Sequence, residues 1–208
     1  MIKYEIYKVT FLETNCVYLI DEATQKSAVV DPGGKSEKLI EKINSNGGSL
    51  EYVILTHGHY DHIYFAKQLA EMFGARIVTG EKNNEFLSNP QLNLTAKHGI
   101  SLTPFSADIK LNDGDTLMLG ETQIKYITTS GHTSGCGSYI FDDVIICGDT
   151  LFCESYGRVD LPTGNYADMI SSLKKLSELD GNYTVIPGHG ELTTLDHERK
   201  YNPLMSRL

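Results

Sequence analysis

The feature that most constrains this chain is a dense run of potential metal ligands, Thr56-His57-Gly58-His59-Tyr60-Asp61-His62. The whole chain has 7 histidines, and three of them lie in this run beside one carboxylate. Imidazole and carboxylate groups are the ligands that hydrolytic metal sites use. Because both types occur at such close spacing, the run predicts half of a two-metal hydrolytic site.

The residues around the run predict a turn from a strand into a helix. Residues 51–55 form a short apolar segment typical of a buried strand, and residues 63–73 have the apolar spacing of a helix. Alternate residues of an extended chain point the same way, so His57 and His59 can bind one ion while Asp61 and His62 turn toward a second. The alternative is that Asp61 caps a helix beside surface histidines.

Two ions with open positions need more ligands than this run supplies. Three further candidates each follow a strand-like segment and lie next to a glycine, namely His132, Asp149 and His189. Taken singly, each is more typical of a turn. The ends of neighbouring strands lie close together, so these residues are predicted to meet the first run at one edge of a sheet.

The remaining pattern indicates an α/β protein with two packed halves, and we expect one domain over residues 1–208. Residues 83–108 are rich in Asn, Ser and Pro and are predicted to form a loop at the edge of the pocket. Strands are predicted at 4–9, 16–20, 27–30, 51–55, 76–79 and in several segments between 116 and 146. Helices are predicted at 36–44, 63–73, 165–178 and 194–200.

Composition limits the partners and the compartment. A formal charge of -9 without a basic block argues against a nucleic-acid partner and leaves a small-molecule substrate. No apolar run approaches the ~20 residues of a membrane helix, and the N-terminus begins in a strand-like pattern without a signal peptide. We therefore expect a cytoplasmic protein without a membrane partner, and the oligomeric state stays open. The cysteines lack a Cys-x-x-Cys pair and are expected to be reduced and buried, at Cys16, Cys136, Cys147 and Cys153.

The order of the candidate ligands resembles the metallo-β-lactamase-fold hydrolases over nearly the whole chain. The pattern is His57-x-His59-x-Asp61-His62, then His132, Asp149 and His189, and Val30-Asp31-Pro32-Gly33-Gly34 resembles that superfamily's first motif. Residues 13–16, 148–152 and 157–160 are similar to the glyoxalase II branch.

This resemblance implies a four-layer αβ/βα sandwich with two divalent ions, zinc being expected first and iron or manganese as alternatives. It implies that Asp149 bridges the ions. His57, His59 and His132 would bind one of them, and Asp61, His62 and His189 the other.

The glyoxalase II resemblance implies hydrolysis of an S-lactoyl-type thioester. Two ions that share a water lower its pKa toward 7 and polarise the carbonyl, and a thiolate leaves readily because an ordinary thiol has a pKa of about 8.5. Catalytic roles are expected for Asp61, Asp149 and Arg158, with Arg158 holding a substrate carboxylate. Longer hydroxyacylglutathione hydrolases carry a further helical region that helps to hold glutathione, and this chain ends soon after His189. The resemblance is therefore to the short members, and the thiol carrier is left open.

Other residues have two interpretations each. Asp31 and Asp160 are candidates to accept the second N–H of a metal-bound imidazole, or else Asp31 caps a turn and Asp160 pairs with Arg158. His98 and His197 lie outside every motif and are expected on the surface.

Three alternative functions remain at this stage. A persulfide dioxygenase-like oxidoreductase would hold one iron through His57, His132 and Asp149, and metal content and oxygen uptake would distinguish it. A lactonase or other carbonyl hydrolase would use the same activated water. A non-catalytic or electron-transfer module would need a fused flavin-binding region, which this chain lacks.

Overall fold

Two six-stranded sheets pack face to face in the computed structural model, which describes residues 1–208. The first sheet has the order β1-β2-β3-β4-β5-β6, with bounds Ile2–Val9, Thr14–Asp21, Ser27–Val30, Leu50–Leu55, Arg76–Gly80 and Ile109–Leu111. The second sheet has the order β14-β13-β10-β9-β8-β7. The bounds of β7, β8, β9 and β10 are Thr116–Leu119, Thr122–Thr128, Gly137–Phe141 and Val144–Gly148. The bounds of β13 and β14 are Thr184–Pro187 and Thr193–Thr194. A small separate hairpin joins β11 and β12, Leu151–Phe152 and Ser155–Tyr156.

Six α-helices accompany the sheets, α1 to α6, with bounds Glu37–Ser45, Tyr60–Ile63, Ala66–Phe73, Thr95–His98, Tyr166–Ser177 and Leu195–Tyr201. Side-chain oxygens of Ser36, Asn165 and Thr194 accept hydrogen bonds from the first turns of α1, α5 and α6. Such caps satisfy amide groups that a helix start leaves without partners. None of the helices combines the length and the apolar character that a membrane crossing requires.

Successive side chains of each strand point to opposite faces of the sheet, and the buried apolar side chains form three clusters. In β2, Val17 and Leu19 face the second sheet, whereas Cys16 and Tyr18 face α1 and α3. In the second sheet, Ile146 lies in the cluster between the sheets and Cys147 in the cluster under α5 and α6. Because successive residues of a strand point to opposite faces, each sheet buries both faces. The result is the predicted four-layer αβ/βα sandwich, which is confirmed.

The predicted helix over 63–73 is interrupted. It forms as α2 and α3, and Phe65 between them adopts φ -101° and ψ 1° while its N–H donates to the carbonyl of Pro32. The preceding chain is held close by Gly33, where a Cβ would lie 1.4 Å from the carbonyl oxygen of Asp61. Contacts with the loop after β3 therefore break a helix that periodicity alone makes continuous. The segment 83–108 also has more structure than predicted, with a 3-10 helix over Glu81–Ser88 and α4.

Burial of the cysteines agrees with the prediction except at one position. Cys16, Cys136 and Cys147 are buried free thiols, and Cys153 is a free thiol that is exposed. Cys153 lies in the turn between β11 and β12, outside both sheets, so neighbouring layers do not cover it.

Asp21 at the end of β2 connects the two sheets through partly buried hydrogen bonds. Its carboxylate accepts from the hydroxyls of Thr24 at 2.7 Å and Thr122 at 2.8 Å, and from the backbone N–H of Glu121 at 3.3 Å. These bonds, chiefly that from Thr24, lower its pKa to about 2. The ionised form is therefore favoured in the folded protein.

A depressed pKa in the folded state makes Asp21 stabilising above its unfolded pKa of ~3.9, and this contribution is lost as the pH falls toward 2. We expect the free energy of unfolding to fall between about pH 4 and pH 2, and to fall less in Asp21→Asn. Urea titrations across this range measure both slopes. If the free energy of unfolding fell equally with pH in both proteins, the stabilising role of ionised Asp21 would be contradicted.

Candidate metal centre

The run of candidate ligands leaves β4 and enters α2 at the edge of the first sheet. Thr56 fixes the exit, because its N–H and hydroxyl donate to the two carboxylate oxygens of Asp31 at 2.8 Å and 2.6 Å. Gly58 is needed for the path, since a Cβ there would lie 2.2 Å from the Cβ of Phe86. The interpretation as surface histidines is wrong, because the ligand side chains are buried, at His57, His59, Asp61 and His62.

The second sheet supplies the other candidates from three separate connections. His132 lies between β8 and β9, Asp149 directly follows β10, and His189 follows β13. Gly188 allows the closest approach, since a Cβ there would lie 2.1 Å from Oδ1 of Asp149. The sequence-predicted convergence of four segments at one edge is therefore present in the structure.

Seven side chains meet as two groups that share a carboxylate between them. Ligand atoms lie within 4.8 Å of one another in each group, His57, His59 and His132 in one, Asp61, His62 and His189 in the other. Asp149 faces both groups, with Oδ1 3.5 Å from Nε2 of His62 and Oδ2 3.5 Å from Nε2 of His132.

These residues fit divalent metal ions. Nε2 of His57 and Oδ1 of Asp149 are buried and have no hydrogen-bond partner, an arrangement that is costly unless something else satisfies them. Nε2 of His62 lies 3.2 Å from Nε2 of His189 and 3.6 Å from Oδ2 of Asp61. A tetrahedral ion with bonds of about 2.0–2.1 Å holds its ligand atoms about 3.3 Å apart. Donor types, spacing and burial thus agree with a metal site.

Outer contacts orient the imidazole rings. Nδ1 of His62 lies 2.9 Å from Oδ2 of Asp31, and Nδ1 of His132 lies 2.7 Å from the backbone oxygen of Arg158. Such acceptors fix which ring nitrogen faces the site. The predicted contact of Asp31 with a site imidazole is confirmed. For Asp160 the other predicted role is confirmed, because both of its oxygens accept from the Arg158 guanidinium at 2.7 Å and the pair is exposed.

Sequence reasoning missed the role of the β1–β2 hairpin in holding His189. Asn15 donates its backbone N–H to Gly188 at 2.7 Å and its side-chain amide to Pro187 at 2.9 Å. The carbonyl of Leu12 lies 3.0 Å from Nδ1 of His189 and accepts its N–H. Asn15 belongs to one of the motifs noted above, but no spacing rule connects it with a residue so distant in the chain.

Electrostatics differ between the two groups. Burial, reinforced by His132, lowers the pKa of His59 to about 3, and burial also lowers the pKa of His57. Burial opposes protonation of His62, but Asp61, Asp149 and Asp31 outweigh it and raise its pKa to about 10. His57 and His59 therefore favour the neutral imidazole that binds a metal ion, whereas the carboxylates around His62 favour positive charge at its place in the site.

A cavity of about 310 Å³ opens over the site. Its floor includes His59, Asp61, His132, Asp149 and His189, so a small molecule in it reaches both groups. A larger cavity of about 680 Å³ lies between β1, β2 and α1, and the candidate ligands do not line it. Because five of the candidate ligands line the cavity of about 310 Å³, this cavity is the one that gives a small molecule access to both groups.

The two remaining histidines differ in their relation to this cavity. Both reach the surface as predicted, but His98 lines the cavity and its ring centroid lies 5.1 Å from that of Tyr60. His197 pairs with Glu154 at 3.0 Å and lies outside the cavity lining.

Residues 9–189 match the family described as the metallo-beta-lactamase superfamily. The chain belongs to this superfamily. Among metallo-beta-lactamase superfamily relatives, hydroxyacylglutathione hydrolase GloC of Haemophilus influenzae is 34% identical over 207 residues, covering 97% of each chain. The crystal structure of the BLEG-1 B3 metallo-beta-lactamase superposes with a TM-score of 0.91 at 29% identity, over 98% of this chain and 100% of that one. TTHA1623 in a di-iron-bound form gives a TM-score of 0.82 at 25% identity, over 96% and 98%.

Membership of the metallo-beta-lactamase superfamily agrees with the geometry of the site. It identifies the chain as a metallo-hydrolase whose His and Asp clusters are suited to divalent metal ions.

Proposed function

We propose that this protein is a two-metal hydrolase that cleaves thioesters of the S-lactoyl type. The observation that carries the proposal is the position of Asp149. Its carboxylate lies between the two histidine-containing groups, and its Oδ1 is buried without a hydrogen-bond partner. A carboxylate in this position has the place of a ligand shared by two ions.

In this proposal, His57, His59 and His132 would hold one ion, Asp61, His62 and His189 would hold the other, and Asp149 would be available to both. Zinc is the expected metal, because imidazole and carboxylate ligands suit it; iron and manganese accept the same ligands. Bound ions of this kind lower the pKa of a shared water and polarise a carbonyl. Asp31 holds the ring of His62 in place, while Leu12 does so for His189.

Two arguments support a thioester as substrate. The curated relative named above, a hydroxyacylglutathione hydrolase, shares 34% of its residues with this chain over nearly the full length. A thiolate is also a good leaving group at neutral pH, so the site needs no strong acid to protonate it. The buried thiols Cys136 and Cys147 have pKa values raised by burial to about 12, which makes these two thiols unsuitable as nucleophiles.

The one-iron oxidoreductase alternative uses three residues, His57, His132 and Asp149. It leaves the group of Asp61, His62 and His189, of which Asp61 and His62 are buried, without a function, and for that reason we prefer two ions. A lactonase would use the same site, and a substrate panel separates it from a thioesterase.

We expect close to two zinc ions per chain in protein purified without chelators, because each group offers three ligands in addition to Asp149. Elemental analysis of the dialysed protein measures this. One iron per chain, together with oxygen consumption on a persulfide, would overturn the two-metal proposal.

Among substrates with the same lactoyl group, we expect the thioester to be cleaved fastest, then the oxygen ester and then the amide. This order follows the leaving-group acidity when the enzyme supplies only an activated water. Initial rates on the matched set test it. A faster oxygen ester would favour the lactonase alternative.

A further inference from the structure

The rim of the cavity above the metal centre combines apolar side chains with cations. Apolar groups come from Phe11 and Leu12 on the β1–β2 turn and from Leu94 and Leu161. The cations are Lys97 and Arg158. Phe11 is 80% exposed and Leu12 beside it is 42% exposed, so the β1–β2 turn presents apolar surface beside the site.

The two cations are not equally available to a ligand. Arg158 donates to both oxygens of Asp160, so its guanidinium is already occupied and its charge is locally neutralised. Lys97 is exposed and has no carboxylate within ion-pair distance. The pKa of Asp160 is lowered to about 2 mainly by its hydrogen bonds from Arg158, and the charge of Lys97 makes a smaller contribution. One positive charge therefore remains unpaired, at Lys97.

The backbone of α4 holds Lys97 in a defined place relative to the metal centre. Asn93 accepts from the N–H and hydroxyl of Thr95 at 3.1 Å and 2.7 Å, at the start of this helix. The carbonyl of Asn93 accepts from the N–H of Tyr60, a residue of the ligand run, at 3.0 Å. Leu94 between them is buried and adopts φ 68°, a conformation that tertiary contacts must maintain. The backbone that carries Lys97 is thus held at a fixed position relative to the ligand run.

From these observations, and resting on the proposed thioesterase function, we propose that Lys97 selects substrates with an anionic group, while the apolar rim accepts an uncharged part of the same molecule. The anion is a carboxylate, on either the acyl or the thiol side of the thioester. Because the chain carries a net charge of -9, an anionic substrate gains from a local unpaired cation at the entrance.

The test is steady-state kinetics on matched thioesters that differ only in charge. One pair carries a carboxylate or its amide on the thiol, and a second pair carries them on the acyl group. For Lys97→Gln we expect KM to rise about 3- to 5-fold on the anionic member of one pair, which is the upper range for an exposed ion pair, with kcat little changed. The pair that responds identifies the side bearing the anion.

Two further variants sharpen this test. Lys97→Arg keeps the charge and should keep the low KM. Asp160→Asn releases Arg158 and removes a negative charge, so it should lower the KM for the anionic substrate. The matched control is Lys82→Gln, another exposed lysine that does not line this cavity.

The outcomes separate the two levels of the proposal. An equal rise in KM on charged and uncharged substrates, or an equal effect of Lys82→Gln, would overturn the role of Lys97 and leave the thioesterase function intact. Absence of turnover on every thioester by the wild-type protein would overturn both.

Discussion

Replacing Asp149 with alanine is expected to reduce hydrolysis by more than about 100-fold, beyond the 10- to 100-fold cost of losing an outer partner of a metal ligand. Asp149 is the side chain that faces both histidine groups, so a methyl group in its place leaves each ion with one ligand fewer. His59→Ala should have a similar effect, since Nδ1 of His59 lies 2.9 Å from Nε2 of His132 within one group. Activity assays combined with elemental analysis measure both losses.

The control for these variants is His197→Ala. Its imidazole pairs with Glu154 at 3.0 Å and does not line the cavity, so activity and metal content should stay near those of the wild type. His98→Ala is a poorer control, because His98 lines the cavity. Comparable damage in His197→Ala and Asp149→Ala would show that the ligands are assigned incorrectly.

Replacing Asp31 with alanine is expected to lower metal affinity by about 10- to 100-fold without removing any proposed ligand. The ring of His62 would lose the acceptor at its Nδ1, and the N–H and hydroxyl of Thr56 would lose theirs. Each buried donor left unpaired costs about 1–3 kcal/mol, so the free energy of unfolding should fall as well. Competition with a chelator measures the first effect, and urea titration of the metal-free protein measures the second.

Asp160→Ala serves as the comparison for Asp31→Ala. Asp160 is exposed and pairs with Arg158, with no contact to an imidazole, so metal affinity should not change. If both variants bound metal as the wild type does, the orienting role of Asp31 would be wrong.

Much of the fold could be predicted because its determinants are local. The apolar run 51–55 forms a strand, and the apolar spacing in 165–178 predicts α5. The candidate ligands lie after strands, as the glycines next to them indicate. The break between α2 and α3 was not predicted, because it depends on the carbonyl of Pro32, which is remote in sequence from Phe65. Periodicity reports which face of a helix is apolar and contains no information about such a contact.

The contacts of the residues around the candidate ligands could likewise be predicted only in part. Asp31 and Asp160 look equivalent in sequence, as aspartates near a turn, yet one orients His62 and the other pairs with Arg158 at the surface. The difference arises from the packing of the two sheets. The hold of Asn15 on the loop of His189 likewise exists only once β2 and β13 meet.

The proposed ligands are divided between the two sheets, and this division determines when metal can bind during folding. The first sheet contributes the residues after β4, and the second contributes His132, Asp149 and His189. A nascent chain in which one sheet has formed presents an incomplete set of ligands, so metal loading must follow docking of the halves. Once loaded, the ions cross-link distant parts of the chain and add binding free energy to the docked form alone. Metal occupancy would then report completed folding, and chains that have not yet folded would not take up metal ions.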